Sequence, residues 1–167
     1  RPSVCSVLAG KSLINRKYYM NTVRKNINYG ELLPVTVSIP VYTEANEVIF
    51  ETIRSSIAAV KKYQEYSYQA GNVIVSDDGI AVMLGGFCTE EKVERLLERF
   101  FQDSPELSAQ ERKAAQRICF YREQQVPFVV RPAKNRAGLF KKASNLNYTL
   151  RLGEAIYQGK GRKELTK

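Results

Sequence analysis

Two short stretches rich in β-branched residues decide the fold: residues 34–40, PVTVSIP, and residues 72–76, NVIVS. β-Branched side chains favour strands, and near-continuous apolar character is typical of strands buried in a parallel sheet. Between the two stretches, isoleucine and valine recur at helical spacing from Asn46, a suitable helix N-cap residue, to about Tyr66. This strand–helix–strand unit predicts two parallel strands joined by a right-handed crossover.

The chain beyond the second strand continues the alternation of helices and strands. We expect residues 80–88 to form a loop, Thr89 to cap one helix, and residues 108–111, SAQE, to form the capping box of another. A third strand is predicted over residues 126–130, and a last helix over about residues 143–157. The predicted apolar face of that helix consists of Ala143, Leu146 and Leu150. The pattern therefore predicts an α/β fold of the Rossmann-like class, with a mostly parallel sheet flanked by helices.

The composition is that of an ordinary globular protein. The chain has 167 residues, of which 44% are apolar and 26% charged, which suits one domain with its own core and argues against disorder or a coiled coil. No apolar run approaches the roughly 18 residues that a membrane span requires. We divide the chain into a basic lead-in segment at residues 1–33, a domain at residues 34–157 and a basic tail at residues 158–167.

The net charge of +9 comes from the two ends of the chain, because the central residues 34–130 are mildly acidic. Basic segments attract the phosphates of nucleotides, nucleic acids or anionic lipids, although basic ends also simply keep a chain in solution. The chain contains no histidine, which excludes Ser-His-Asp and Cys-His catalysis within it. Its three cysteines are widely spaced, so we expect incidental thiols rather than a zinc or redox site.

Charged side chains follow each of the three predicted strands. Tyr42 and Glu44 follow the first, and Asp77 and Asp78 follow the second. The third is followed by a group of cations: Arg131, Lys134, Arg136, Lys141 and Lys142. In an open parallel sheet the ligand lies beyond the carboxyl ends of the strands. We therefore expect a site for a nucleoside diphosphate, in which carboxylates accept hydrogen bonds from the base and ribose while cations contact the phosphates.

A carboxylate that faces the base would favour uracil, whose N3 donates a hydrogen bond, over cytosine, whose N3 accepts one. Each feature also has a simpler explanation: Asp-Gly is common turn chemistry, Glu44 favours an adjacent helix N-terminus, and a basic loop is usually solvated. Asn147 falls on the predicted buried stripe of the last helix, close to Asn145. We expect it to brace the neighbouring loop rather than to contact a ligand.

Three segments together resemble a known family: residues 37–44, VSIPVYTE; residues 73–79, VIVSDDG; and residues 142–147, KASNLN. In order and spacing, over about residues 34–152, they are similar to family 2 glycosyltransferases with the GT-A fold, including the cellulose-, chitin- and hyaluronan-synthase-like polysaccharide synthases. The resemblance implies six nucleotide-binding residues, with Tyr42 and Glu44 at the nucleoside, Asp77 or Asp78 at the uracil edge, and Arg136 and Lys142 near the base or diphosphate. It also implies inverting transfer from a UDP-sugar with Mg²⁺ or Mn²⁺.

The chain departs from the family in one respect. In the family, a strand ending in Asp-x-Asp follows the KASNLN helix and holds the metal ion, whereas the aspartates here are Asp77, Asp78 and Asp103. We therefore interpret the chain as the nucleotide-sugar binding half of a longer enzyme, truncated before the metal ligands and the catalytic base and inactive alone. A natural truncation that has lost catalysis is the alternative.

By the resemblance, the partners are a UDP-sugar donor, an unidentified acceptor and the remainder of a parent polypeptide. We expect that parent to be membrane-associated with a cytoplasmic catalytic domain, and this segment to be soluble. A second hypothesis is a non-catalytic α/β module that binds nucleic acid or an anionic surface. It is less favoured, because the cations of residues 131–142 lie beside predicted carboxylates that would repel a polyanion.

Overall fold

The computed structural model describes residues 32–133 and 141–157. The strands are β1 (Val35–Val41), β2 (Gly71–Asp77) and β3 (Phe128–Val129). The helices are α1 (Asn46–Ser67), α2 (Asp78–Met83), α3 (Glu90–Phe101), α4 (Ala109–Glu123) and α5 (Lys141–Tyr157). None of these helices is both long and apolar enough to cross a membrane. The predicted basic tail, and the lead-in as far as residue 31, lie outside the described residues.

The three strands form one parallel sheet in the order β1-β2-β3. Val41 pairs with Asp77, so β1 and β2 end at the same edge of the sheet. This confirms the predicted α/β class with a parallel sheet flanked by helices, a layout compatible with a Rossmann-like fold. The third strand is shorter than the predicted residues 126–130, since Pro127 has no N–H to contribute to the ladder. The Pro127 carbonyl still accepts a hydrogen bond from Val75 N at 3.0 Å.

The core packs helices against an apolar face of the sheet. Val75 of β2 has no exposed surface, and neither do Ile53 of α1, Ile80 of α2 and Ile118 of α4. All four belong to one continuous apolar cluster. Three of the four apolar positions predicted for the first helix, Ile49, Ile53 and Val60, are buried, and Ile57 is half-buried.

Two predicted helix ends are confirmed. Thr89 Oγ1 accepts a hydrogen bond from Lys92 N at the start of α3. At the start of α4, Ser108 and Glu111 form the predicted capping box, in which each side chain accepts from the backbone N–H of the other residue. Both helices therefore begin where the sequence predicts.

Two other predictions about helix starts are wrong. Residues 80–88 are not simply a loop, because α2 begins directly after β2 and includes Ile80, which packs in the core. Asp77 caps this helix, since its Oδ1 accepts from Gly79 N and Ile80 N at 2.8 and 3.2 Å. Asn46 does not cap α1, since Ala45 occupies that position without a side-chain cap. The Asn46 amide instead bonds to α4, which takes the side chain away from the helix end.

The buried face of α5 differs from the prediction by one residue. Ala143 is exposed, Leu146 is half-buried and Leu150 is 70% exposed. Asn145 and Thr149 are buried instead, against the polar side of β2. Asn145 Nδ2 donates to the Ser76 carbonyl at 2.7 Å, and the Thr149 and Ser76 hydroxyls are 2.6 Å apart. The sheet presents polar groups here, so polar side chains of α5 pair with them.

Asn147 is exposed, so the expected bracing role of this residue is wrong. The bracing amide is Asn145, two positions earlier. The sequence predicts the helical spacing of α5 correctly but places its buried face one residue away, because apolar side chains are expected to face the sheet.

Candidate functional site

The carboxyl edge of the sheet carries the predicted site residues. Tyr42 and Glu44 follow β1, Asp77 ends β2, Asp78 opens α2, and Lys142 lies in the first turn of α5. Glu44 Oε1 and Lys142 Nζ are 4.0 Å apart, although they are almost a hundred residues apart in sequence. Arg136 and Lys134 lie outside the described residues, and the side chain of Lys141 is likewise not described.

The centre of this edge is a residue that the sequence analysis missed, Arg117 of α4. Its guanidinium has no exposed surface. Nε donates to Asn46 Oδ1 at 2.9 Å, and Nη2 donates to the Glu44 carbonyl at 2.6 Å. Nη1 donates to the Tyr42 carbonyl at 3.0 Å and to both oxygens of the Asp77 carboxylate at 3.1 Å. One side chain therefore links the loop after β1, the end of β2 and the start of α1.

The Asp77 carboxylate is completely buried and bonded on all sides. Besides Arg117 and the two N–H groups of α2, it accepts from the Tyr121 hydroxyl at 2.8 Å. Burial raises the pKa of Asp77, while Arg117 and the Tyr121 hydrogen bond act in the opposite direction. Burial and the neighbouring Asp77 charge raise the pKa of Tyr121. Tyr121 therefore remains a protonated donor to Asp77.

The second carboxylate, Asp78, is 3% exposed and pairs with the cation that follows β3. Arg131 Nη2 lies 2.6 Å from Asp78 Oδ2, and Arg131 Nε lies 3.3 Å from Oδ1. Arg131 Nη1 also donates to the Ser144 hydroxyl in α5. Arg131 thus joins the start of α2 to the first turns of α5. A contact of either aspartate with uracil stays a prediction.

Glu44 is the more accessible carboxylate of this edge, with 37% of its side chain exposed. Its Oε2 accepts from the Tyr42 backbone N–H at 2.6 Å. Partial burial acts to raise the pKa of Glu44, but the hydrogen bond from Tyr42 and the charges of Lys142 and Arg117 outweigh it, so the pKa lies below its ordinary value. Glu44 is consequently an ionised acceptor at neutral pH.

Gly79 is required at this edge by a close backbone approach. A Cβ placed on it would lie 1.9 Å from the Tyr42 carbonyl oxygen and 2.8 Å from Arg117 Nη1. Its φ is not among the positive values of the described residues, so left-handed turn geometry does not explain the glycine. The glycine after the two aspartates allows the start of α2 to pack directly on the loop after β1.

Beside the loop after β1 there is a cavity of about 360 Å³ between this loop, α2 and α4. Its walls include Tyr42, Thr43, Gly79, Met83 and Lys113. Within the described ranges, no group of three or more Asp, Glu, Cys or His side chains is placed to hold a metal ion. Asp77 and Asp78 are each paired with an arginine, so these two carboxylates do not fit the Mg²⁺ or Mn²⁺ site that the resemblance implies.

Cys88 and Cys119 are half-buried free thiols, and burial raises the pKa of both, which makes them weak nucleophiles.

The buried arginine has a recognisable pattern in the sequence. Ala114, Arg117, Ile118 and Tyr121 follow the i, i+3, i+4, i+7 spacing of one helix face, and all four are buried. A cation on the apolar face of a helix needs a buried anionic partner, and few aspartates are available in this chain.

No protein-family model, curated protein or solved structure matches the chain.

Proposed function

We propose that the chain is the nucleotide-binding part of an inverting, family 2-like glycosyltransferase with a GT-A layout and that it binds a UDP-sugar donor. One observation carries this proposal: the three segments that resemble the family contact one another pairwise at the carboxyl edge of the sheet. Arg117 joins the segment of Tyr42 and Glu44 to Asp77. Arg131 joins Asp78 to Ser144, and Glu44 approaches Lys142.

The groups at this edge suit the parts of a nucleoside diphosphate. Glu44 is an ionised acceptor for ribose hydroxyls, and Tyr42, which lines the cavity beside this loop, is the proposed contact of the nucleoside. The Lys142 side chain is 75% exposed, so its ammonium group is accessible to a diphosphate. Of the two aspartates, Asp78 is the proposed partner of the uracil edge, because both oxygens of the fully buried Asp77 are already bonded within the protein.

Lys142 offers the clearest test of this assignment. In calorimetric titrations, Lys142→Ala should weaken UDP binding by about tenfold, because a charge-assisted contact to phosphate is lost, and should leave uridine binding unchanged. Lys61→Ala is the matched control, since Lys61 is an exposed lysine in the later part of α1, away from the carboxyl edge. Equal UDP affinity for Lys142→Ala and the wild type would contradict the proposed diphosphate site.

We further propose that the 167-residue chain binds the donor without transferring sugar. Departure of the diphosphate requires carboxylate ligands that hold a divalent cation against its charge, and transfer requires a base at the acceptor. The sequence has no Asp-x-Asp to provide such ligands. Metal-dependent sugar release from a UDP-sugar by the purified chain would contradict this part of the proposal.

A further inference from the structure

Arg117 belongs to none of the three segments that resemble the family, yet it contacts two of them. It reaches the Tyr42 and Glu44 carbonyls of the first segment and the Asp77 carboxylate of the second. The planar guanidinium offers donors in fixed directions, which allows one residue to bind several acceptors at once. A lysine could keep the charge but could not keep this set of bonds.

The guanidinium is not placed to act on a ligand directly. It has no exposed surface, and its positive charge is balanced by the equally buried Asp77. Its contacts with the loop after β1 are to backbone oxygens, so they fix the course of the chain whatever side chains the loop carries. Asn46 accepts from Nε and thereby fixes the orientation of the guanidinium plane.

We infer that Arg117 is a positioning residue, which sets the backbone of residues 42–44 relative to the end of β2 and thereby sets affinity for the nucleoside part of the ligand. The identity of the ligand in this inference rests on the proposed function, whereas the claim that Arg117 sets the backbone of residues 42–44 does not. If the nucleoside contacts come from Tyr42 and Glu44, moving their backbone should lower the affinities for uridine and for UDP by the same factor. Lys142→Ala, in contrast, should lower the affinity for UDP alone.

The test compares Arg117→Lys with Arg112→Lys. Arg112 lies on the same helix and makes two side-chain hydrogen bonds of its own, to Asp103 and to the Ser104 carbonyl, away from the strand ends. Two readouts are needed: calorimetry with uridine and UDP, and hydrogen exchange of the Tyr42 amide, which donates to Glu44 Oε2. Arg117→Lys should weaken the binding of both ligands about tenfold or more and accelerate hydrogen exchange of the Tyr42 amide. Arg112→Lys should change neither the affinities nor the exchange rate.

If Arg117→Lys does not fold, Asn46→Ala replaces it, because that change keeps the Arg117–Asp77 pair and removes the acceptor that orients the guanidinium, together with the Asn46 bonds to Lys113 and Gln116 of α4. It should shift both readouts in the same direction by a smaller factor. Unchanged Tyr42 exchange with unchanged affinities would overturn the inference, and so would a loss confined to UDP. A wild-type chain that binds neither ligand would defeat the proposed function, and Tyr42 exchange in the variants would still decide the positioning claim.

Discussion

Gly79→Ala is the substitution whose cost can be worked most directly from the geometry. The added Cβ would lie 1.9 Å from the Tyr42 carbonyl oxygen, whereas real Cβ contacts essentially never fall below 3.0 Å. The loop after β1 or the start of α2 must therefore move by about an ångström. The Tyr42 carbonyl cannot move freely, because it accepts from Arg117 Nη1 at 3.0 Å, and Gly79 N is itself bonded to Asp77.

Two terms contribute to the expected loss of stability. Overpacking a well-packed site costs about 1–3 kcal/mol. Losing the bond between the Tyr42 carbonyl and a charged guanidinium costs about 1.5–3 kcal/mol more. The free energy of unfolding should therefore fall by roughly 2.5–6 kcal/mol, a large part of the roughly 5–15 kcal/mol typical of a domain. Urea denaturation followed by circular dichroism measures this difference.

Gly153→Ala is the matched control. Gly153 is an exposed residue inside α5, and a Cβ there would have no atom within 4 Å. The same chemical change should therefore stabilise the protein by about 0.5–1 kcal/mol through helix propensity. A Gly79→Ala protein as stable as the wild type would refute the close-approach explanation and favour an ordinary Asp-Gly turn.

Three further outcomes are expected. Asp78→Asn should reduce UDP affinity by roughly ten- to a hundredfold and shift preference toward CDP, as measured by calorimetry; an unchanged UDP/CDP ratio would mean that Asp78 does not contact the base. The pKa of Glu44 is lowered from 4.5, so the wild type should be more stable than Glu44→Gln above that pH. This difference in unfolding free energy should be lost as the pH falls through the folded-state pKa, and a difference that grows on acidification would contradict the assignment. Ser108→Ala should cost about 1 kcal/mol of unfolding free energy through the lost cap without altering UDP affinity, and a change in affinity would indicate that α4 moves.

The layout of the sheet could be predicted from sequence because it follows from local patterns. The β-branched stretches at residues 34–40 and 72–76 became paired parallel strands, and the caps at Thr89 and Ser108 depend only on neighbouring residues. The α2 helix was missed because its start depends on Asp77, a residue whose side chain was assigned to a ligand.

The site was only partly predictable, because its bonding partners are distant in sequence. Charges after Val41 and Asp77 were correctly expected at one edge, since parallel strands in register end together. The helix face that carries Arg117 indicates a buried cation, but no local pattern identifies its partner as Asp77, forty residues earlier. For the same reason the polar surface of β2 at Ser76, which faces Asn145, could not be anticipated from the helix alone.

The central claim is that this edge of the sheet binds a nucleoside diphosphate rather than a polyanion. Parallel titrations of the chain with UDP and with a random single-stranded oligonucleotide, at low and moderate salt, test it most directly. We expect saturable UDP binding that persists at moderate salt, and oligonucleotide binding that weakens steeply with salt and does not displace UDP. Oligonucleotide that displaces UDP at moderate salt, or the absence of UDP binding at either salt concentration, would contradict it.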